Sequence, residues 1–118
     1  MVTTNIMIRS TSLNGADFKE AIDLGLVCAA FDQQVNLIFV DAGINNLIAN
    51  QSASILKDKN QIDILKGLEF YDIDNIFLEK ESLENSRLTM DNLLPTIQLV
   101  STKELNNLNL NADNLVTF

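Results

Sequence analysis

The sequence predicts an α/β fold in which a mostly parallel five-stranded sheet lies between layers of helices. Short β-branched and aliphatic runs alternate along the chain with segments whose apolar residues recur at helical spacing. Strands separated by helices imply crossover connections, which should be right-handed, and a sheet covered on both faces. The composition, 47% hydrophobic and 20% charged, is that of an ordinary globular domain.

Five short runs are predicted to form the strands. The clearest is 35–40, a compact β-branched run that lies between two glutamines and the turn sequence Asp41-Ala42-Gly43. The predicted strands cover residues 5–9, 35–40, 76–78, 97–100 and 115–118.

Helical segments are predicted between the strands. In residues 16–31, Phe18, Ile22 and Leu26 recur at helical spacing. The segment 45–60 is predicted to hold a short helix around Leu47 and then a loop. The later helical segments are 61–70, the turn 82–87 and a short helix opened by Thr102. This order predicts a flavodoxin-like three-layer sandwich, formed as a single domain by residues 1–118.

The second half of the first helix has no polar face. Every residue from 24 to 31 is apolar or glycine, and a helix that is apolar all round must be covered on more than one side. In so small a domain we expect another subunit to supply the second cover. The small residues that would allow close approach are Gly25, Cys28, Ala29 and Ala30. The alternative is that the small residues merely pack against the sheet.

Charge argues against direct contact with nucleic acids or membranes. Sixteen acidic and eight basic residues give a net charge of −8, which repels phosphate groups. The longest apolar run is far too short to span a bilayer, and the first ten residues do not form a signal peptide. A single cysteine is consistent with the reducing cytoplasm, where we expect the protein to work.

The residue types present in the sequence predict no catalytic, cofactor or metal site. There is no histidine, which removes the commonest general base, Ser-His and Cys-His pairs and most zinc sites. Cys28 lies late in the first helix, away from the N-terminal end that would lower the pKa of a thiol. We interpret it as a small hydrophobic residue, and the alternative is a sulfur carrier.

Four polar segments lie where an α/β fold could place a site. The turn from Ser10 to Gly15 lies where anions bind, but it has one glycine and no lysine, so it is interpreted as a hydroxyl-capped helix start with Asp17 and Glu20 near the positive end. The alternative is a nucleotide or phosphate site. The charged triplet 79–81, Asp41, and Asp72 with Asp74 are interpreted as solvated loops or the rim of an interface.

An ordered set of residues resembles a known family. It comprises Ala29-Ala30-Phe31-Asp32-Gln33, Val35, Phe39, Asp41, Gly43, Leu68, Tyr71-Asp72-Ile73, Ile76-Phe77-Leu78, Ser82-Leu83, Leu88, Asp113, Val116 and Phe118. In order and spacing this set is similar to the TusC/DsrF family of DsrE-like sulfur-relay proteins, over nearly the whole chain.

This resemblance implies a flavodoxin-like fold and a non-catalytic role in a heterohexamer with TusD/DsrE-like and TusB/DsrH-like subunits. Such complexes pass persulfide sulfur between cysteines. The acceptor cysteine belongs to the TusD/DsrE partner, at the end of the strand that corresponds to 76–78 here. This chain has Leu78 and Glu79 at that point, so no catalytic residue and no cofactor is expected.

Two destinations for the sulfur stay open. The resemblance implies either 2-thiouridine at the tRNA wobble position, the more widespread use, or dissimilatory sulfur oxidation. A stand-alone anion- or nucleotide-binding protein is a further alternative.

Overall fold

A computed structural model describes residues 1–11, 16–49 and 61–118. Its centre is a sheet of five strands in the order β4-β3-β2-β1-β5, and every neighbouring pair is parallel. The strands are β1 Thr3–Ile8, β2 Gln34–Phe39, β3 Asn75–Glu79, β4 Gln98–Val100 and β5 Asn114–Thr117. All five predicted strands are therefore present, with ends shifted by one or two residues.

Four α-helices and three 3-10 helices accompany the sheet in the described part of the chain. The α-helices are α1 Ala16–Ala30, α2 Gln61–Gly67, α3 Lys80–Asn85 and α4 Thr102–Asn111. The 3-10 helices are Asp41–Leu47, Leu68–Tyr71 and Met90–Asn92. The loop predicted after the helix around Leu47 falls mostly on residues 50–60, which lie outside the described residues.

The strand order explains how the helices are divided between the two faces. Strands β1 to β4 are added in one direction, and β5 then lies on the other side of β1. Because parallel crossovers are right-handed, this reversal moves the last connecting helix to the opposite face. Residues of α1, α2 and α3 pack into one hydrophobic cluster, and residues of α4 pack into another. The predicted three-layer α/β sandwich is confirmed.

The larger core fills the face under α1 and α2. Alternate strand residues point into it, as the two-residue period of a strand requires. The buried members from the strands are Ile6, Ile8, Val35, Leu37, Phe39, Ile76 and Leu78. Phe18 and Ile22 of α1 and Ile62 and Leu65 of α2 cover them. Burial of each such side chain stabilises the fold by about 1.5–3 kcal/mol before the entropy cost of ordering it.

The opposite face combines a small apolar cluster with a ladder of asparagines. Asn5, Asn36 and Asn75 are aligned across β1, β2 and β3. The Nδ2 of Asn36 donates to the Oδ1 of Asn5 (2.8 Å), and the Nδ2 of Asn75 donates to the Oδ1 of Asn36 (2.9 Å). Asn5 in turn donates to the carbonyl oxygen of Leu108 in α4 (3.0 Å). The ladder therefore joins three strands to the helix that covers them.

The apolar half of α1 divides into a packed face and an open face. Gly25 is buried, and a Cβ added there would lie 3.5 Å from side-chain atoms of Ile6 and Val35, so this small residue does pack against the sheet. Val27 and Phe31, in contrast, are exposed in the chain. The expectation that another subunit covers this face stays a prediction.

Candidate functional site

Most of the polar residues that were predicted to follow strands lie at the carboxyl edge of the sheet. Parallel strands end at the same edge, which is where α/β folds place their sites. Arg9 follows β1, Asp41 follows β2, Glu79 ends β3, and Thr102 follows β4. Arg9 and Asp41 form an exposed ion pair with 3.0 Å between Nη2 and Oδ2, a geometry that contributes at most about 1 kcal/mol.

A buried serine links the ends of β2 and β3. The backbone N–H of Asp41 donates to the Oγ of Ser82 (2.8 Å), and this hydroxyl donates to the Oε1 of Glu79 (2.6 Å). Ser82 lies in the first turn of α3, three residues after Glu79. Ser82 is not among the predicted site residues, although its spacing of three from Glu79 at the start of a helix is typical of side chains that contact each other.

The second carboxylate oxygen of Glu79 reaches the neighbouring strand end. Thr102 donates its hydroxyl to the Oε2 of Glu79 (3.2 Å) and its backbone N–H to the Oε2 of Glu81 (2.8 Å). Hydrogen bonds to a charged acceptor are stronger than neutral ones. The two glutamates of the triplet therefore tie α3 to the start of α4. Lys80 between them is exposed, and both glutamates are half-buried.

Gly43 allows the chain to turn tightly over this edge. A Cβ at this position would lie 2.0 Å from the carbonyl oxygen of Ile8, far inside any real contact. The N–H of Gly43 donates to the oxygen of Val40 (2.9 Å). Only glycine permits this approach of the 3-10 helix Asp41–Leu47 to the end of β1.

The described part of the Ser10 turn belongs to the same edge. The Oγ of Ser10 donates to Asp17 in the first turn of α1 (2.9 Å), and its carbonyl oxygen accepts from the Nδ2 of Asn46 (3.2 Å). The first contact, between two side chains, does not test the interpretation as a hydroxyl-capped helix start, which stays a prediction. Residues 12–15, including Gly15, lie outside the described residues, so the alternative of an anion site stays a prediction.

Cys28 lies at the other end of the molecule. It is half-buried against the larger core, near the C-terminal end of α1, and it forms no disulfide. Because α1 runs back across the sheet from the end of β1 to the start of β2, its last turn lies at the amino edge. The only thiol of the sequence and Glu79 therefore lie at opposite edges.

The remaining acidic candidates do not join the carboxyl edge. Asp72 and Asp74 precede β3 and line a cleft at the amino edge. Among residues 1–11, 16–49 and 61–118, no group of three histidine, cysteine, aspartate or glutamate side chains could hold a metal ion. The described helices also include none that is long and apolar enough to cross a bilayer.

The chemistry of the carboxyl edge follows from this arrangement. Both oxygens of the Glu79 carboxylate accept hydrogen bonds from hydroxyl groups, and no thiol lies among the described residues of this edge. These groups hold three strand ends and a helix start together. The arrangement shapes the surface at this edge of the sheet.

The fold of this chain is shared with a solved structure. A crystal structure of the Escherichia coli protein ychN superposes with a TM-score of 0.80 and 16% identity, with all of both chains covered. This similarity confirms the fold class.

Sequence relatives extend the comparison. A "Protein TusC homolog" of Vibrio vulnificus strain CMCP6 is 24% identical over 112 residues, covering 95% of each chain. The "Intracellular sulfur oxidation protein DsrF" of Allochromatium vinosum is 35% identical over 75 residues, covering 64% of this chain and 55% of that protein. The model of the DsrE/DsrF-like family matches residues 5–118. The resemblance inferred from the residues is confirmed, and the chain belongs to the DsrE/DsrF-like family.

Proposed function

We propose that this chain is a non-catalytic subunit of a TusBCD/DsrEFH-type sulfur-relay complex. In this proposal it works in the cytoplasm and supports persulfide transfer toward 2-thiouridine at the tRNA wobble position. The acceptor cysteine lies on a TusD/DsrE-like partner, and a TusB/DsrH-like subunit completes a heterohexamer. The tRNA itself is bound elsewhere, since a net charge of −8 repels it.

One observation carries the proposal. At the end of β3, where the family resemblance places the partner's acceptor thiol, this chain has Leu78 and Glu79. Leu78 is buried in the core, and the Glu79 carboxylate is held by Ser82 and Thr102. A position filled in this way cannot accept sulfur, because neither side chain can form a persulfide. The names of the full-length relatives, TusC homologs, support the same subunit type.

Assembly tests the proposal directly. The chain is co-expressed with the TusD/DsrE-like and TusB/DsrH-like subunits of the same organism. The molar mass of the purified complex is then measured by size-exclusion chromatography with light scattering. We expect one complex that contains two copies of each subunit. A chain that elutes as a monomer in the presence of both partners would contradict the proposal.

A second candidate has its own support. Within the aligned residues, the 35% identity to a sulfur oxidation protein favours a DsrF-type role. Deletion of the gene separates the two candidates, because loss of 2-thiouridine from tRNA, measured by mass spectrometry, supports the first. Normal 2-thiouridine with impaired oxidation of stored sulfur supports the second.

A further inference from the structure

The exposed aromatic residues of this chain are concentrated at one place. Of six phenylalanines and one tyrosine, three are largely exposed: Phe31 (76%), Phe70 (82%) and Tyr71 (61%). Phe31 directly follows α1, and the other two end the 3-10 helix Leu68–Tyr71, against which α1 packs. With Val27, also exposed, these residues are called the aromatic edge.

Carboxylates lie beside the aromatic edge. Asp32 and Asp72, which directly follow Phe31 and Tyr71, line one cleft of about 390 Å³ together with Asp74. None of the residues lining this cleft is a lysine or an arginine. The cleft lies at the amino edge of the sheet, next to the starts of β2 and β3. It is thus separate from the Glu79 network at the carboxyl edge.

The exposed aromatic side chains and the neighbouring carboxylates indicate which kind of partner would bind here. Clustered exposed aromatic side chains are typical of protein interfaces, where they supply most of the binding energy. Aromatic faces and carboxylates both attract cationic side chains. A second copy of this chain would bring the same carboxylates to the contact, and like charges facing each other oppose association. A basic partner offers the complementary charge.

We propose that the aromatic edge docks a partner subunit that presents lysine or arginine side chains around an apolar patch. This inference rests on the proposed function, and it adds which surface of this chain makes the contact and which chemistry the partner supplies. The apolar second half of α1 is then covered in the assembly by that partner.

Removal of the aromatic groups tests the apolar half of the proposal. The double variant Phe31→Ser/Tyr71→Ser should bind the TusD/DsrE-like or TusB/DsrH-like subunit at least about tenfold more weakly than the wild type, since buried interface aromatics are the commonest hot spots. Both side chains are exposed, so the variant should fold, which circular dichroism checks. The matched control is Leu110→Ser, because Leu110 is 82% exposed on α4, which packs on the opposite face of the sheet from α1.

Removal of the charges tests the electrostatic half. Asp32 and Asp72 have left-handed backbone angles, φ 61° and 63°, which asparagine also adopts readily. Asp32→Asn/Asp72→Asn therefore keeps the shape and removes two charges. We expect a several-fold slower association and a weaker dependence of the association rate on salt. The control Glu84→Gln/Asp91→Asn changes the net charge equally at exposed positions in α3 and the 3-10 helix Met90–Asn92.

The outcomes separate the inference from the proposed function. If the wild type binds its partners and both edge variants bind as tightly and with the same salt dependence, the inference is wrong and the proposed function survives. If the controls weaken binding as much as the edge variants, the inference is also wrong. If the wild type binds neither subunit, both proposals fail. If the aromatic edge instead pairs two copies of this chain while the partner subunits still bind, only the inference is wrong.

Discussion

Gly43 shows how one residue shapes the candidate site. The chain leaves β2, adopts a left-handed angle at Asp41 (φ 52°), and passes directly over the last carbonyl group of β1. The same turn presents the Asp41 N–H to Ser82 and the carboxylate to Arg9. Loss of the close approach would disturb both of these contacts at the carboxyl edge.

Gly43→Ala is therefore expected to destabilise the protein. The added Cβ would lie 2.0 Å from a backbone oxygen, and because backbone must move, the loss of unfolding free energy should be about 2 kcal/mol or more in urea titrations. Gly67→Ala is the control, since Gly67 has a helical conformation and its Cβ would meet nothing within 4 Å. That variant should gain stability of about 0.4–1 kcal/mol. Equal effects of the two substitutions would contradict the steric account.

At the scale of elements, α4 depends on polar contacts more than the other helices do. It is the α-helix that packs on the second face, where the buried apolar set is small. Its start is fixed by a capping box, in which Ser101 accepts from the Glu104 N–H (3.1 Å) and Glu104 accepts from the Ser101 N–H (3.2 Å). Its far end is held by the asparagine ladder through Asn5.

Asn36→Ala tests the ladder at its centre. The substitution leaves the Oδ1 of Asn5 and the Nδ2 of Asn75 without their present partner. Buried polar groups that lose their partner cost about 1–3 kcal/mol, so the free energy of unfolding should fall by about 2–3 kcal/mol. Asn114→Ala, at an exposed strand position with one long hydrogen bond of 3.3 Å, should cost less than about 1 kcal/mol. A smaller loss for Asn36 than for Asn114 would contradict this role.

The elements were predictable because their signals are local. Alternation and helical spacing within a run such as 35–40 or 16–31 reflect the side that each residue buries. The ladder was not predictable, because asparagine favours turns, and its burial depends on the register of three strands. The contact between Glu79 and Thr102 likewise needs β4 beside β3. Which strands are neighbours is decided by the whole chain, so these site contacts could not be read from any one segment.

At the scale of the whole molecule, the two edges of the sheet have different characters. The carboxyl edge holds a network of hydroxyl and carboxylate groups, and the amino edge combines exposed aromatic residues with Asp32, Asp72 and Asp74. The thiol of Cys28 lies near the second of these, half-buried against the core. We expect the chain to serve a sulfur relay through its surfaces, with no part for the Cys28 thiol in the transfer.

Sulfur transfer by a complex carrying Cys28→Ala tests this central claim most directly. The complex is reconstituted with partner subunits, loaded with labelled persulfide sulfur, and the label passed to the downstream acceptor is measured; a preparation that lacks this chain is the control. We predict transfer at the wild-type rate with Cys28→Ala and loss of transfer when the chain is left out. An intact Cys28→Ala complex that transfers no sulfur would contradict the account.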